Sequence, residues 1–411
     1  MQLKNLPIKP ASRPVQNLLR PEEPGDRPGG PPSLRAFLEM GFRPLYMAGT
    51  TWALVAIALW IYTPGLLIGP LNGIAWHAHE MLWGFIATIA VGFLMTAGTN
   101  WTGINPMKGP TLALACTLWL LARVGYLVQA ESAFWIAVVA ELAFFLLASG
   151  AMLRAVVVSK NSRNYAVPGL LAALGGIDAL YLLTARGGDY TLLMQRFNAG
   201  ITVMALIALL IGRRVIPFFA MRAVPGLNIP KHTETGWVQL GACTVAALSL
   251  LLGMPWLTTL SLSLAGGLAL VQVISWKPLA VRANPLLWIL YVGYACIGLG
   301  LLLAGLTEAG LELPRVLAVH VIAMAGFSVL ILGMVTRTAL GHLGRPLATD
   351  RTMRTSYWLM LIAVVLRLAG TSPGLPTIAT NALLDLAAAA WVSALALYLW
   401  QFVPMLIRPR L

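Results

Sequence analysis

The sequence predicts an all-α polytopic membrane protein of about twelve transmembrane helices with both termini cytoplasmic. Three observations predict it. Of the 411 residues 59% are hydrophobic and only 10% charged, where soluble domains carry about a quarter charged residues. The mean hydropathy is +0.80. Apolar runs recur at the ~20-residue length that a helix needs to cross a hydrocarbon core of ~30 Å. The third observation is that the basic residues alternate from one loop to the next.

In chain order, residues 1–43 form a separate regime. Pro24-Gly25-Asp26-Arg27-Pro28-Gly29-Gly30-Pro31-Pro32 neither packs a core nor holds a helix, so residues 1–33 are expected to be a disordered, basic cytoplasmic tail. No apolar segment follows its basic residues at signal-peptide distance, so no cleavage is expected. An amphipathic piece from Ser33 to Phe42 then leads into the first span. Residues 34–411 are expected to form one twelve-helix transmembrane domain. Its spans are placed at 44–63, 77–99, 110–129, 132–154, 166–185, 194–212, 236–253, 255–275, 286–306, 314–336, 354–370 and 377–403. Between them stand Pro64, Asn105-Pro106, Gly187-Gly188, Pro225, Pro255, Pro278, Pro314, Pro346 and Pro373, all breakers of helix.

The basic residues test the count. With these spans, 23 Lys and Arg fall on the side of the termini and three (Arg186, Arg196, Arg315) on the other, leaving Arg123 and Arg367 within spans. This is the positive-inside pattern, and an odd number of spans would scramble it. The net charge of +14 is therefore a topology signal and a contact with anionic membrane lipid, not a nucleic-acid surface. Cys116, Cys243 and Cys296 each fall in an apolar run, so no disulfide framework is expected.

Ionisable residues within hydrocarbon are functional candidates by default. Two of the five histidines stand in Trp76-His77-Ala78-His79-Glu80-Met81, at the outer end of the second span. His320 lies about two turns into the tenth span from the same side, while His342 and His232 belong to the cytoplasmic side. At 100° per residue His77, Glu80 and Met81 share a face and His79 points nearly opposite. The two imidazoles are thus expected to do different jobs, one ligating a metal or haem iron, the other orienting its surroundings or serving a second centre. Glu80 is placed to receive the second N–H of a ligating histidine. The plain alternative is that His77 and His79 only anchor the helix end beside Trp76. Arg123 with Glu141, and Arg367 with Asp385, flank short hairpins at similar depth and are expected to form charge-compensated links. Asp178 has no evident local partner; Arg186 and Arg196 are within reach, and a proton-relay role stays open. Met81, Met95, Met324 and Met334 are soft donors suited to copper, or packing residues. There is no Walker A loop, dinucleotide fingerprint, nucleophile elbow or Cys-X-X-Cys-His.

Several stretches together carry a family likeness: Gly41-Phe42-Arg43-Pro44, the His77–Met81 stretch, Gly92-Phe93-Leu94-Met95-Thr96-Ala97 with Asn100-Trp101-Thr102-Gly103, Gly212-Arg213-Arg214-Val215-Ile216-Pro217-Phe218-Phe219, and Arg337-Thr338-Ala339-Leu340-Gly341-His342-Leu343-Gly344-Arg345. In this order they resemble the NnrS family of bacterial inner-membrane proteins, from about residue 41 to the C-terminus. The resemblance implies haem and copper as cofactors, nitric oxide or a related small molecule as partner, and a role in nitrosative-stress protection, often beside denitrification. On that basis haem b is expected between His320 and one of His77 and His79. The remaining outer histidine and Glu80 would then serve copper or support the ligands. Arg213, Arg214, Arg337 and Arg345 would pair with the propionates of an inner haem using His342, with His232 as a further ligand. The catalytic subunits of haem-copper oxidases and nitric oxide reductases are similar in architecture, taking haem ligands from their second and tenth helices. They also place a histidine triad on helices six and seven, which this chain lacks. A transporter of copper, haem or a small metal complex is the rival reading. No residue assigns an electron donor, and a nitric-oxide-processing oxidoreductase activity is left open beside simple binding.

Overall fold

The computed structural model describes residues 30–411 and contains twelve helices long and apolar enough to span a membrane. The proposed tail falls mainly outside the described residues. The helices are α1 (Phe42–Tyr62), α2 (Gly73–Thr102), α3 (Gly109–Leu127), α4 (Glu131–Val158), α5 (Ser162–Gly187), α6 (Tyr190–Ala223), α7 (Thr233–Leu252), α8 (Pro255–Ser275), α9 (Pro285–Glu308), α10 (Arg315–His342), α11 (Arg351–Ala369) and α12 (Thr377–Leu406). The amphipathic piece before α1 is a single turn, Leu34–Phe37, capped by the Ser33 hydroxyl.

Local chemistry explains most of the helix ends. Pro255 and Pro285 stand in first turns, where a missing N–H costs nothing. The side chains of Asp189, Asn284 and Asp350 accept from N–H groups of the first turns of α6, α9 and α11. Gly103 and Gly188 close α2 and α5 at φ of +72° and +73°, the left-handed region that glycine enters without strain.

Several helices outrun their predicted spans. Helix α2 starts four residues before His77, α10 continues to His342, and α6 runs through Pro217 to Ala223. At 1.5 Å per residue the 34 residues of α6 extend roughly 50 Å. Its last turns therefore stand clear of hydrocarbon. Apolar length measures the bilayer, whereas α6 and α10 continue beyond it on stretches that carry Arg213, Arg214, Arg222, Arg337 and His342.

Each helix from α3 to α9 packs on its chain neighbour, and α12 returns to lie against α1. The two ends of the described residues meet: the Ser33 N–H donates to the Ile407 carbonyl at 2.9 Å, and the Arg43 guanidinium donates to the carbonyls of Leu406 and Arg408. Ser33 and the C-terminal segment thus lie on one face, as an even number of crossings requires. In the most apolar stretches of α2 and α6, 83% and 78% of residues are buried, against 33% in α1, α11 and α12. The former two form the centre. Helices α9 and α10 approach closely, since a Cβ on Gly300 would lie 2.4 Å from Ile322 and one on Gly326 2.7 Å from Ile297. Small residues let helix backbones meet in this way within lipid.

Candidate functional site

Helices α2 and α10 share an unusual local feature. Each begins as an α-helix and then widens into a π-helical segment, Glu80–Ala87 in α2 and Val321–Ser328 in α10. The two segments touch each other. Each ends on a hydroxyl residue that bonds five residues back, Thr88 to the Trp83 carbonyl at 3.1 Å and Ser328 to the Ala323 carbonyl at 3.0 Å. Widening of this kind recurs at functional sites. Here it begins directly after His79 and directly after His320.

Two polar sites result. The first is a cavity of about 750 Å³ among α1, α2, α6, α7, α8, α9, α10, α11 and α12. Its lining includes His77 and Met81 from α2, His320 and Met324 from α10, Arg315, and Arg367 from α11. The His77 ring lies flat against Trp60, with centroids 4.9 Å apart and planes at 14°, and its Nδ1 is buried with no hydrogen-bond partner. The His320 Nδ1 stands 2.8 Å from the Val316 carbonyl oxygen. A carbonyl only accepts, so Nδ1 carries the proton and Nε2 keeps its lone pair in the neutral ring.

The second site is a sealed ionic cluster centred on His79, whose members are at most 2% exposed. Nδ1 of His79 lies 2.9 Å from Glu80 Oε1; its Nε2 lies 3.0 Å from Asp178 Oδ1 and 3.2 Å from Glu141 Oε2. The Arg123 guanidinium donates to Glu80 Oε2 at 2.6 Å and, through its other terminal nitrogen, to Glu141 Oε1. The Trp52 indole N–H donates to Glu80 Oε2 at 2.5 Å. Tyr126 meets the imidazole edge-on, while Trp83 and Tyr181 stack against it. Gly84 makes room for all this: a Cβ there would lie 2.4 Å from Arg123 Nη1 and 2.7 Å from Glu80 Oε2.

His77 and His79 therefore face different sites, as their helical spacing requires. Glu80, however, turns to His79 and Arg123 rather than to His77, because the wider turn starting at Glu80 rotates it off the cavity face. The Arg123–Glu141 link is present. Arg367 and Asp385 form no such link: Arg367 lines the cavity, and the Asp385 backbone carbonyl accepts from the Tyr62 hydroxyl. Asp178 binds His79, whereas Arg186 pairs with Glu131 at 2.8 Å near the surface.

The residues toward the terminal face are scattered. His232 and His342 do not line the large cavity. The His232 ring contacts the Ser275 hydroxyl at 2.5 Å, and partial burial, reinforced by the Arg213 charge, holds its pKa below the ordinary histidine value. His342 rests against Phe42. Arg213 donates to the His232 carbonyl at 3.0 Å and Arg214 to Asn164 Oδ1 at 2.9 Å, stapling loops to α6. The Arg337 guanidinium covers the Phe219 ring at 4.0 Å. Arg345 follows α10, its backbone N–H bonded to Leu340. The sequence reading did not join Asp178 and Trp52 to His79; the only signal was an acid and an imidazole, each without a local partner.

These features define a multi-pass membrane protein with a histidine-lined cavity beside a buried ionic cluster. The family model described as "NnrS protein" matches residues 36–410, and the chain belongs to the NnrS family. No curated protein matches the chain.

Proposed function

We propose that the large cavity holds haem b and binds nitric oxide, or turns it over, in protection against nitrosative stress at a bacterial inner membrane. One observation carries the reading: His77 and His320, from different helices, line one apolar cavity of about 750 Å³. That volume falls among the ~300–1,000 Å³ clefts that enclose most of a cofactor-sized ligand. The chemistry of the lining fits haem. The buried, partnerless Nδ1 of His77 and the free Nε2 of His320 are imidazole donors that would hold a haem iron, and Arg315 and Arg367 would supply cations for its propionates. Met81 and Met324 add thioethers, the donor class that suits Cu(I), so the copper implied by the family resemblance has soft ligands at the same place. This replaces Glu80 and His79 as the copper group.

Haem bound there would supply one-electron exchange, and would take a diatomic ligand where only one of the two histidines holds the iron. The chain's own residues prepare that site. The Val316 carbonyl fixes the His320 tautomer and directs Nε2 away from its own helix turn, and Trp60 holds the plane of His77. The walls of Ile57, Ile86, Ile201, Ile322 and Trp391 exclude water. Axial ligands and burial are the means by which a protein sets haem reactivity. With both termini cytoplasmic, the cavity lies in the outer half of the membrane.

The test is a reduced-minus-oxidised spectrum with pyridine haemochrome quantification on purified protein. His77→Ala and His320→Ala are each expected to abolish stoichiometric haem b. Haem indifferent to both changes would sink this site. No haem in the parent protein, with metal uptake into proteoliposomes, would make the protein a transporter.

A further inference from the structure

We propose that His79, Glu141 and Asp178 form a divalent-cation site inside the helix bundle, distinct from the cavity of His77 and His320. None of the three residues lines that cavity. They come from α2, α4 and α5, and one ligand atom of each lies within 4.8 Å of the others. The inference does not depend on haem binding.

Tautomer and charge together motivate it. Glu80 Oε1 lies 2.9 Å from Nδ1 of His79 and, being ionised in its bonds to Arg123 and Trp52, can only accept. Nδ1 therefore carries a proton. In the neutral ring Nε2 then presents a lone pair to Asp178 Oδ1 at 3.0 Å and Glu141 Oε2 at 3.2 Å. A lone pair facing two carboxylate oxygens is repulsive unless something positive lies among them. Asp178 Oδ2 and Glu141 Oε2 are moreover buried without a hydrogen-bond partner. Three carboxylates meet one guanidinium, leaving two negative charges uncompensated among residues at most 2% exposed. One divalent cation with neutral His79 brings the sum to zero; otherwise two protons must do so, and cation binding displaces them.

The donors and their supports suit such an ion. A tetrahedral ion with ligands at ~2.0–2.1 Å sets neighbouring donors roughly 3.3 Å apart, close to the 3.0 and 3.2 Å found here. The Glu80–His79 bond is the carboxylate–histidine arrangement that orients metal-ligating imidazoles. Arg123 donates to one oxygen of Glu141 and leaves the other for the ion. One imidazole and two carboxylates select zinc- or manganese-type divalent ions over Cu(I), whose thioether donors lie in the other cavity.

The experiment uses full-length protein in detergent, stripped with chelator, incubated with Zn2+ and desalted, with metal counted by mass spectrometry. One zinc per chain is expected for the parent and for His320→Ala. Asp178→Asn and Glu141→Gln should each weaken retention by about tenfold or more. Zinc-edge X-ray absorption on the parent alone should give only nitrogen and oxygen neighbours, which keeps the test decisive if the variants fold poorly. No retained zinc in the parent, sulfur in the zinc shell, or retention unchanged in both carboxylate variants would each overturn the proposal. The first outcome would assign the balancing charge to protons.

Discussion

Arg123 holds three helices together through charge that has nowhere else to go. Its partners Glu80 and Glu141 lie on α2 and α4, and all three side chains are at most 2% exposed. Removing one member of a buried, hydrogen-bonded set costs about 3–5 kcal/mol, because the remaining charges stay buried and unpaired. Arg123→Met should therefore destabilise the protein by about that amount. The same substitution at Arg186, whose ion pair with Glu131 is 38% and 52% exposed, should cost less than about 1 kcal/mol. Thermal unfolding in detergent, followed by circular dichroism, checks the contrast; equal effects would mean that the cluster is not the structural centre described. Gly84 gives a sharper version. A methyl group there would collide with Arg123 Nη1 and Glu80 Oε2, so Gly84→Ala should cost about 1–3 kcal/mol by overpacking, while Ala at the open Gly176 should be neutral or stabilising. The Arg123–Glu141 link was legible in the sequence because a short hairpin sets both residues at similar depth. The Asp178–His79 contact was not, since 99 residues separate its partners and no local pattern encodes which faces α2 and α5 turn to each other.

At the scale of the element, spans were readable and their extensions were not. Proline and glycine mark the short loops, but the early start of α2 and the late end of α6 run through interfacial residues that carry no hydropathic signal. The π-helical segments after His79 and His320 were equally hidden, because a five-residue bonding step leaves no trace in composition. Thr88 and Ser328 are their visible supports, each donating to a carbonyl five residues back. Removing a buried hydroxyl donor leaves that carbonyl less satisfied, at about 1–3 kcal/mol. Ser328→Ala should therefore destabilise α10 by that order and shift the visible spectrum of bound haem, since His320 stands just before the segment. The control is Thr244→Val, which removes a hydroxyl bonded to its own helix four residues back in α7, outside the lining of the cavity. An unchanged spectrum in Ser328→Ala, with stability also unchanged, would deprive the wide turn of any part in placing His320.

For the whole molecule, the decisive quantity is which face the cavity addresses. The ends of the described residues touch through Ser33, Arg43, Leu406 and Arg408, so the twelve crossings fix the relative orientation of every loop. One absolute assignment then sets them all. The bias of 23 basic residues against three predicts that the terminal face is cytoplasmic, because moving so many cations across a membrane against its potential is costly. Leu311, between α9 and α10, and Ser162, the first residue of α5, are both exposed and lie on opposite faces. In a background with Cys116, Cys243 and Cys296 changed to alanine, an impermeant maleimide should label Leu311→Cys in intact spheroplasts. Ser162→Cys should be labelled only after permeabilisation. The reverse pattern would turn the cavity of His77 and His320 toward the cytoplasm. Its small-molecule partner would then be met after entry into the cell rather than in the outer half of the bilayer. Labelling of both sites in intact cells would contradict the bundle itself, since an even number of crossings cannot place these two loops on one side.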